Sequence, residues 1–191
     1  QKGWQVSENT PFYAIPTTVG TGSEVTSWAT LWDKTKHRKL SLEHESMFPN
    51  VAIIDPELTY TSPKHVSAAA GMDALTQAVE AYWSNNSQAI SDNFALSAIH
   101  CLSNHLEPAC NEGDIHYKDK VAEGSLMSGL AFSNTKTTIC HSLSYPITAH
   151  YGISHGQAVA ITLAPFLEWN SSAIEEKLSD LFQAFGCNSL E

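Results

Sequence analysis

Positive charge is scarce in this chain: ten Lys and Arg stand against twenty Asp and Glu, a formal net charge of -10. Binding to nucleic acid rests mainly on Lys and Arg neutralising phosphates, so this balance argues against a nucleic-acid partner and for small molecules. Cysteine is also sparse. Cys101, Cys110, Cys140 and Cys187 show no CxxC spacing, which excludes a disulfide framework and a cysteine-type zinc site and leaves buried thiols as the expectation. No hydrophobic run approaches the ~18 residues of a membrane span, and no charged-then-apolar leader opens the chain. A soluble, cytoplasmic protein with no membrane partner is expected. Neither a GxGxxG fingerprint nor a phosphate-binding loop ending in Lys is present.

What is there is enough for a core: 42% of the 191 residues are hydrophobic. Phe12, Tyr13, Ala14 and Ile15 read as a short buried strand that ends in a Thr/Gly loop, and Val51 to Asp55 reads as a second strand stopped by Pro56. Between them, four of the ten basic residues crowd into Lys34-Thr-Lys36-His-Arg38-Lys39. From Ser62 the period changes to helical, with Ser62 as N-cap and Pro63 as the first helical residue. Met72, Leu75, Val79 and Tyr82 form one core face. Phe94, Ile99, Leu102 and Leu106 form a second, ended by Pro108. Val121 to Phe132 is a helix of small residues, with Gly124, Ser125, Ser128 and Gly129 permitting close packing. Gly156 to Trp169 is apolar almost all round and is expected to be central, and Ile174, Leu178, Leu181, Phe182 and Phe185 make a last amphipathic helix. No repeat of 20–50 residues is visible. The expected fold is mainly α: a short α/β remnant over 1–61, followed by an all-helical domain over 62–191. The α/β stretch is too short to bury both its faces. With no Met at Gln1 and a Leu190-Glu191 end just past a helix stop at Gly186, the chain reads as a fragment of a larger two-domain protein.

Four residues point to a metal. Asp73 and Gln77 stand i, i+4 on one helical face, and Asp73 lies in Ala68-Ala-Ala-Gly-Met-Asp-Ala-Leu, where a carboxylate is costly unless paired or ligated. His141, in Ile-Cys-His-Ser-Leu-Ser-Tyr-Pro, and His155, in Gly-Ile-Ser-His-Gly, supply imidazoles. Imidazole plus carboxylate suits iron, zinc or nickel, and a site with an open position can polarise a substrate oxygen. Each histidine also has a plain structural reading as a hydrogen-bonded core residue, and His155 at a helix entry has an anion-binding one. The loop Pro16-Thr17-Thr18-Val19-Gly20-Thr21-Gly22-Ser23-Glu24-Val25-Thr26 offers hydroxyls and backbone N–H groups to an anionic group such as a pyrophosphate. It also fits an ordinary turn after a strand.

Taken jointly, these segments resemble the iron-containing (group III) alcohol dehydrogenases. The resemblance rests on the Pro16 to Thr26 loop, Val51-Ala-Ile-Ile-Asp-Pro-Glu-Leu58, Ala70-Gly-Met-Asp-Ala-Leu-Thr-Gln-Ala-Val-Glu-Ala-Tyr82, Cys140-His-Ser-Leu and Ser154-His-Gly, in that order. It implies an N-terminal nucleotide-binding α/β domain, a C-terminal helical domain, and NAD or NADP with a divalent metal in the cleft between. The implied metal ligands are Asp73, Gln77, His141 and His155, and the implied cofactor contacts are Thr17, Thr18, Thr21, Thr26 and Lys39. Two positions depart from the family pattern: Gln77 and Tyr145 stand where the iron enzymes carry histidines. The resemblance implies iron, with zinc, another divalent ion or an empty site as the alternatives these two positions raise. The stretch from Asn134 to Pro146, with Tyr82-Trp83-Ser84, is similar to the phosphonoacetaldehyde reductases, which implies Lys136 as a fixed charge for a phosphonate.

The expected activity is reversible reduction of an aldehyde to a primary alcohol with NAD(P)H, in a homo-oligomer, expected to be a dimer. Tyr145 and His150 are the candidate proton donors. Two rivals stand beside it, a lyase of the dehydroquinate synthase type and a helical module with a vestigial site. With most of the dinucleotide domain outside the 191 residues, the isolated piece is expected to be inactive.

Overall fold

The computed structural model describes residues 10–33, 35–36 and 38–189; the expectations for both chain ends lie outside these residues. Among the described residues, all regular strands precede residue 62 and six α-helices follow it: α1 Lys64–Trp83, α2 Ala89–Asn111, α3 Ile115–Thr135, α4 Ile139–Tyr151, α5 His155–Asn170 and α6 Glu175–Phe185. The mainly helical expectation matches this order.

The strands are short. β1 (Tyr13–Ala14) pairs in parallel with β4 (Val51–Ala52). Contrary to the expectation of a buried strand, Phe12, Tyr13, Ile15 and Val51 are all exposed, because a two-stranded sheet has no second layer to cover its faces here. Between them lies an antiparallel hairpin that the sequence reading missed, β2 (Trp28–Asp33) and β3 (Arg38–Glu43). The Asp33 carboxylate organises its turn by accepting from Thr35 N, Thr35 Oγ1 and Lys36 N. Register sets Trp32 directly opposite Lys39, on one face of the hairpin. Trp28 stacks on Phe132 of α3 at 5.6 Å, and Ser133 Oγ donates to Val25 O, so the hairpin is anchored to α3.

The central helix is α1. Its second half, from Asp73 to Trp83, is buried at every position, with Ala74, Ala78, Val79 and Ala81 fully enclosed. It packs against α2, α3 and α5. The small side chains let neighbours in close, and Ser128 Oγ of α3 donates to Ala74 O at 2.7 Å. The helix expected to be central, α5, is not: only Gly156, Ala158, Val159 and Leu163 of it are buried, while Ile161 and Trp169 face outward. An all-round apolar sequence does not identify which face finds a partner. Two further corrections concern helix ends. Pro63 itself occupies the N-cap of α1, with no side-chain cap, so the helix begins one residue later than expected. Pro108 does not stop α2, which runs on to Asn111: the missing N–H costs one bond, and the turn that follows is still closed by Glu112 N donating to Pro108 O. Of the cysteines, Cys101 and Cys140 are buried as expected, Cys110 is half-buried, and Cys187 is exposed.

Two glycines press loops and helix ends against α1. A Cβ at Gly20 would lie 2.3 Å from Ala70 O, and one at Gly156 would lie 2.0 Å from Ala69 O. These contacts seat the Thr/Gly loop and the first turn of α5 one turn before Asp73. Gly156→Ala is therefore expected to destabilise the protein by about 1–3 kcal/mol, although alanine is the better helix former. Urea denaturation of the variant checks this; an unchanged midpoint would show that α5 can shift freely off α1.

Candidate metal centre

Asp73 projects from the buried half of α1, His141 from the first turn of α4 and His155 from the first residue of α5. Their side chains converge. One ligand atom from each lies within 4.8 Å of the others. His141 Nε2 is 3.1 Å from Asp73 Oδ1, and His155 Nε2 is 3.7 Å from the same oxygen. The two imidazoles meet edge to face at 5.4 Å.

The first imidazole is held from behind by Glu80, a residue the sequence reading did not single out. Glu80 stands seven residues after Asp73 on α1, two helical turns on and thus on the same face, which was the available signal. It is fully buried. Its Oε2 accepts from His141 Nδ1, while its Oε1 accepts from Cys140 N at 2.7 Å and Thr138 Oγ1 at 2.8 Å. Burial pushes the Glu80 carboxyl up, but hydrogen bonds from His141 and Thr138 outweigh it and hold the group below its ordinary range. Because Cys140 N is an otherwise unpaired donor in the first turn of α4, Glu80 caps that helix from outside and lies at its positive end. Thr138 in turn accepts from Trp83 Nε1 at 2.7 Å.

Charge follows from this arrangement. Burial alone would lower His141, yet Asp73 and Glu80 together lift it to about 9. His155 moves the other way, lowered first by burial, with His141 and Lys39 adding to the effect against Asp73. At neutral pH the metal-free cluster thus holds His141 as an imidazolium beside His155 as a neutral imidazole.

The donor set fits a divalent cation. Two imidazole nitrogens and a carboxylate form the two-His-one-carboxylate set of non-haem iron, and zinc accepts the same ligands. Gln77, one turn after Asp73, is buried, and its Oε1 has no hydrogen-bond partner among the described residues. Such an atom is costly unless something else pairs with it. A bound cation is one group that would pair with this oxygen.

The remaining expected residues are distributed more widely. Tyr145 lies against the cluster, its ring stacked on His155 at 5.8 Å and met edge-on by Trp32. Lys39 Nζ sits 3.4 Å over the centre of that ring. Burial brings the ammonium down to about 8 against the upward pull of Asp73. Burial also pushes Tyr145 up to about 12. In the loop, Thr17 is exposed, Thr18 half-buried and Thr26 buried, while Thr21 Oγ1 accepts from Ser23 N and Ser23 Oγ. His150 is exposed in the last turn of α4. Lys136 is not gathered into the cluster. It has an exposed side chain, pairs with Glu43 at 2.8 Å, and adopts a φ of 64° just after α3, a backbone region that strains any residue with a Cβ.

Comparison with known proteins bears on what this centre belongs to. Residues 67–191 match the model described as "Fe-containing alcohol dehydrogenase family, C-terminal", and residues 2–56 match "Iron-containing alcohol dehydrogenase". The chain belongs to the iron-containing alcohol dehydrogenase family. Among curated relatives, the long-chain-alcohol dehydrogenase 1 of Geobacillus thermodenitrificans is 40% identical over 180 residues, covering 94% of this chain and 45% of the relative. Among solved structures, an iron-containing alcohol dehydrogenase from Thermotoga maritima superposes with a TM-score of 0.86 at 37% identity, over 94% of this chain and 49% of that one. The sulfoacetaldehyde reductase from Bifidobacterium kashiwanohense, solved with NAD+, gives 0.84 at 35% identity, over 98% and 55%. The chain thus spans about half the length of these relatives. The lyase alternative is not favoured by these matches.

Ligation needs His141 Nε2 free of its proton, so metal uptake by this family member must expel it below about pH 9. We expect about one proton released per ion bound, and affinity that weakens about tenfold per pH unit on going down from that value. Zinc titrations across a pH series measure both. An affinity that does not change with pH would contradict the assignment of His141 as a ligand.

Proposed function

We propose that the protein interconverts an aldehyde and a primary alcohol with NAD(P)H at a divalent metal held by Asp73, Gln77, His141 and His155. The observation that carries this reading is the convergence of Asp73, His141 and His155 ligand atoms within 4.8 Å, in a chain of this family. When bound, the nicotinamide supplies the hydride and the divalent ion acts as a Lewis acid on the carbonyl oxygen.

The chain's own residues do the rest. Asp73, His141 and His155 bring three donor atoms to one point from three helices, so a bound carbonyl meets a fixed geometry rather than a mobile one. Tyr145, raised to about 12, keeps its phenolic proton throughout the working range; it offers a hydrogen bond and an apolar ring face rather than a titrating acid. His150, exposed on the last turn of α4, is the alternative proton carrier by way of solvent. Lys39 supplies the cleft's cation. It forms no salt bridge among the described residues, and with Thr17, Thr18, Thr21 and Thr26 it forms the cofactor-binding set.

A finer reading makes the substrate a short aldehyde carrying a tetrahedral anion, phosphonoacetaldehyde in particular. The similarity of the Asn134 to Pro146 segment to phosphonoacetaldehyde reductases supports it. So does 35% identity to a protein named for sulfoacetaldehyde, another short anionic aldehyde. Lys136 would take part by exchanging the Glu43 carboxylate for the phosphonate. A dimer in the cytoplasm is part of the same proposal.

Asp73→Ala and His155→Ala are expected to abolish metal uptake and NAD(P)H-dependent aldehyde reduction in the intact protein. Metal content by mass spectrometry and turnover with phosphonoacetaldehyde against simple aldehydes test the reading, and wild-type values for both variants would end it. Because Lys39 loses its charge near pH 8, cofactor affinity should fall as pH rises through that value. Lys39→Arg, charged throughout, should flatten the profile, as read by NAD(P)H fluorescence.

A further inference from the structure

Ser144, fully buried on α4, makes two contacts with one hydroxyl. Its Oγ lies 2.7 Å from His141 O and 3.1 Å from His155 Nδ1. A hydroxyl carries one proton, and a backbone carbonyl can only accept. The proton therefore goes to His141 O. Toward His155 the same oxygen is left only its lone pairs, so the hydrogen between them belongs to Nδ1. A neutral imidazole with Nδ1 protonated has its lone pair on Nε2, the nitrogen 3.7 Å from Asp73 Oδ1. Two acceptors then stand on either side of one gap, an arrangement that suits a cation.

We infer that Ser144 is a positioning residue for the metal centre: it fixes His155 as the tautomer whose Nε2 is free to ligate. The inference rests on the proposed metal site. His141 has its own tautomer set by Glu80, so each ligand imidazole is fixed by a different oxygen, one a carboxylate from α1 and the other a hydroxyl from α4. Without Ser144, His155 is free to place its hydrogen on Nε2 and donate it to Asp73. That arrangement ties up both ligand atoms in a hydrogen bond that a metal must break.

The test uses the intact protein with its metal removed and zinc as the probe. In Ser144→Ala, zinc affinity measured by competition with a chromogenic chelator should fall about 10- to 100-fold. Ser144→Thr, which keeps the hydroxyl, should recover most of it. Nitrogen-15 spectra of the metal-free protein should show His155 protonated on Nδ1 in the wild type and as a tautomer mixture in Ser144→Ala. This second readout does not depend on metal binding, so a wild type that takes up no zinc would remove the metal reading while the tautomer still decides the role of Ser144. Wild-type His155 protonated on Nε2, or a Ser144→Ala protein with unchanged tautomer and unchanged zinc affinity, would overturn the inference.

Discussion

The buried carboxylate of Glu80 is the constraint on which the site depends. An ionised carboxylate taken out of water costs several kcal/mol unless its lone pairs are filled, and here three donors fill them: His141 Nδ1, Cys140 N and Thr138 Oγ1. All three lie at the start of α4, and one of them is on the His141 ring, so the satisfaction of one charge fixes where α4 begins and where His141 points. The same bonds extend to Trp83 through Thr138, tying the end of α1 to the α3–α4 connection. Removing Glu80 would leave those donors unpaired in a dry interior, a larger loss than any surface pair represents.

Geometry around the carboxylates divides the labour between two layers. Asp73 faces the gap, while Glu80 stands behind His141 and never faces it. His155 is placed by packing as much as by bonding: Gly156 lets α5 sit against the Ala69 carbonyl, and the Tyr145 ring covers one face of the imidazole. Lys39 then lies on that ring. A cation over an aromatic face is attracted by its π electrons, and the hairpin register puts Trp32 beside it. The route from the hairpin to the candidate metal centre is thus a stack of Lys39, Tyr145 and His155.

The helical period made the core face of α1 legible, and the apolar context of Asp73 pointed to a partnered carboxylate. His141 and His155 were identifiable by their motifs. What was not legible was long-range. Glu80 and His141 are 61 positions apart, and nothing local to either announces the bond. In the β2–β3 hairpin, the basic residues crowded at its tip obscured the alternation in the strands on either side. The misplacement of α5 has a different cause: Ile161 and Trp169 are hydrophobic but exposed, and hydrophobicity reports a preference, whereas burial requires a partner surface. The Lys136–Glu43 pair joins residues 93 positions apart, and nothing local to either announces it.

As a ligand, Gln77 would add a neutral amide oxygen, a weaker donor than imidazole that leaves the charge count of the site unchanged. The donor set would then be two nitrogens and two oxygens. Oxygen donors favour harder ions, so such a set would prefer softer metals less than one of imidazoles alone. A weaker ligand in a site also gives the remaining ones more to do. The orientation of His141 by Glu80 and of His155 by Ser144 and Tyr145 would then carry a larger share of the affinity, much of it from buried oxygens that stand behind the imidazoles.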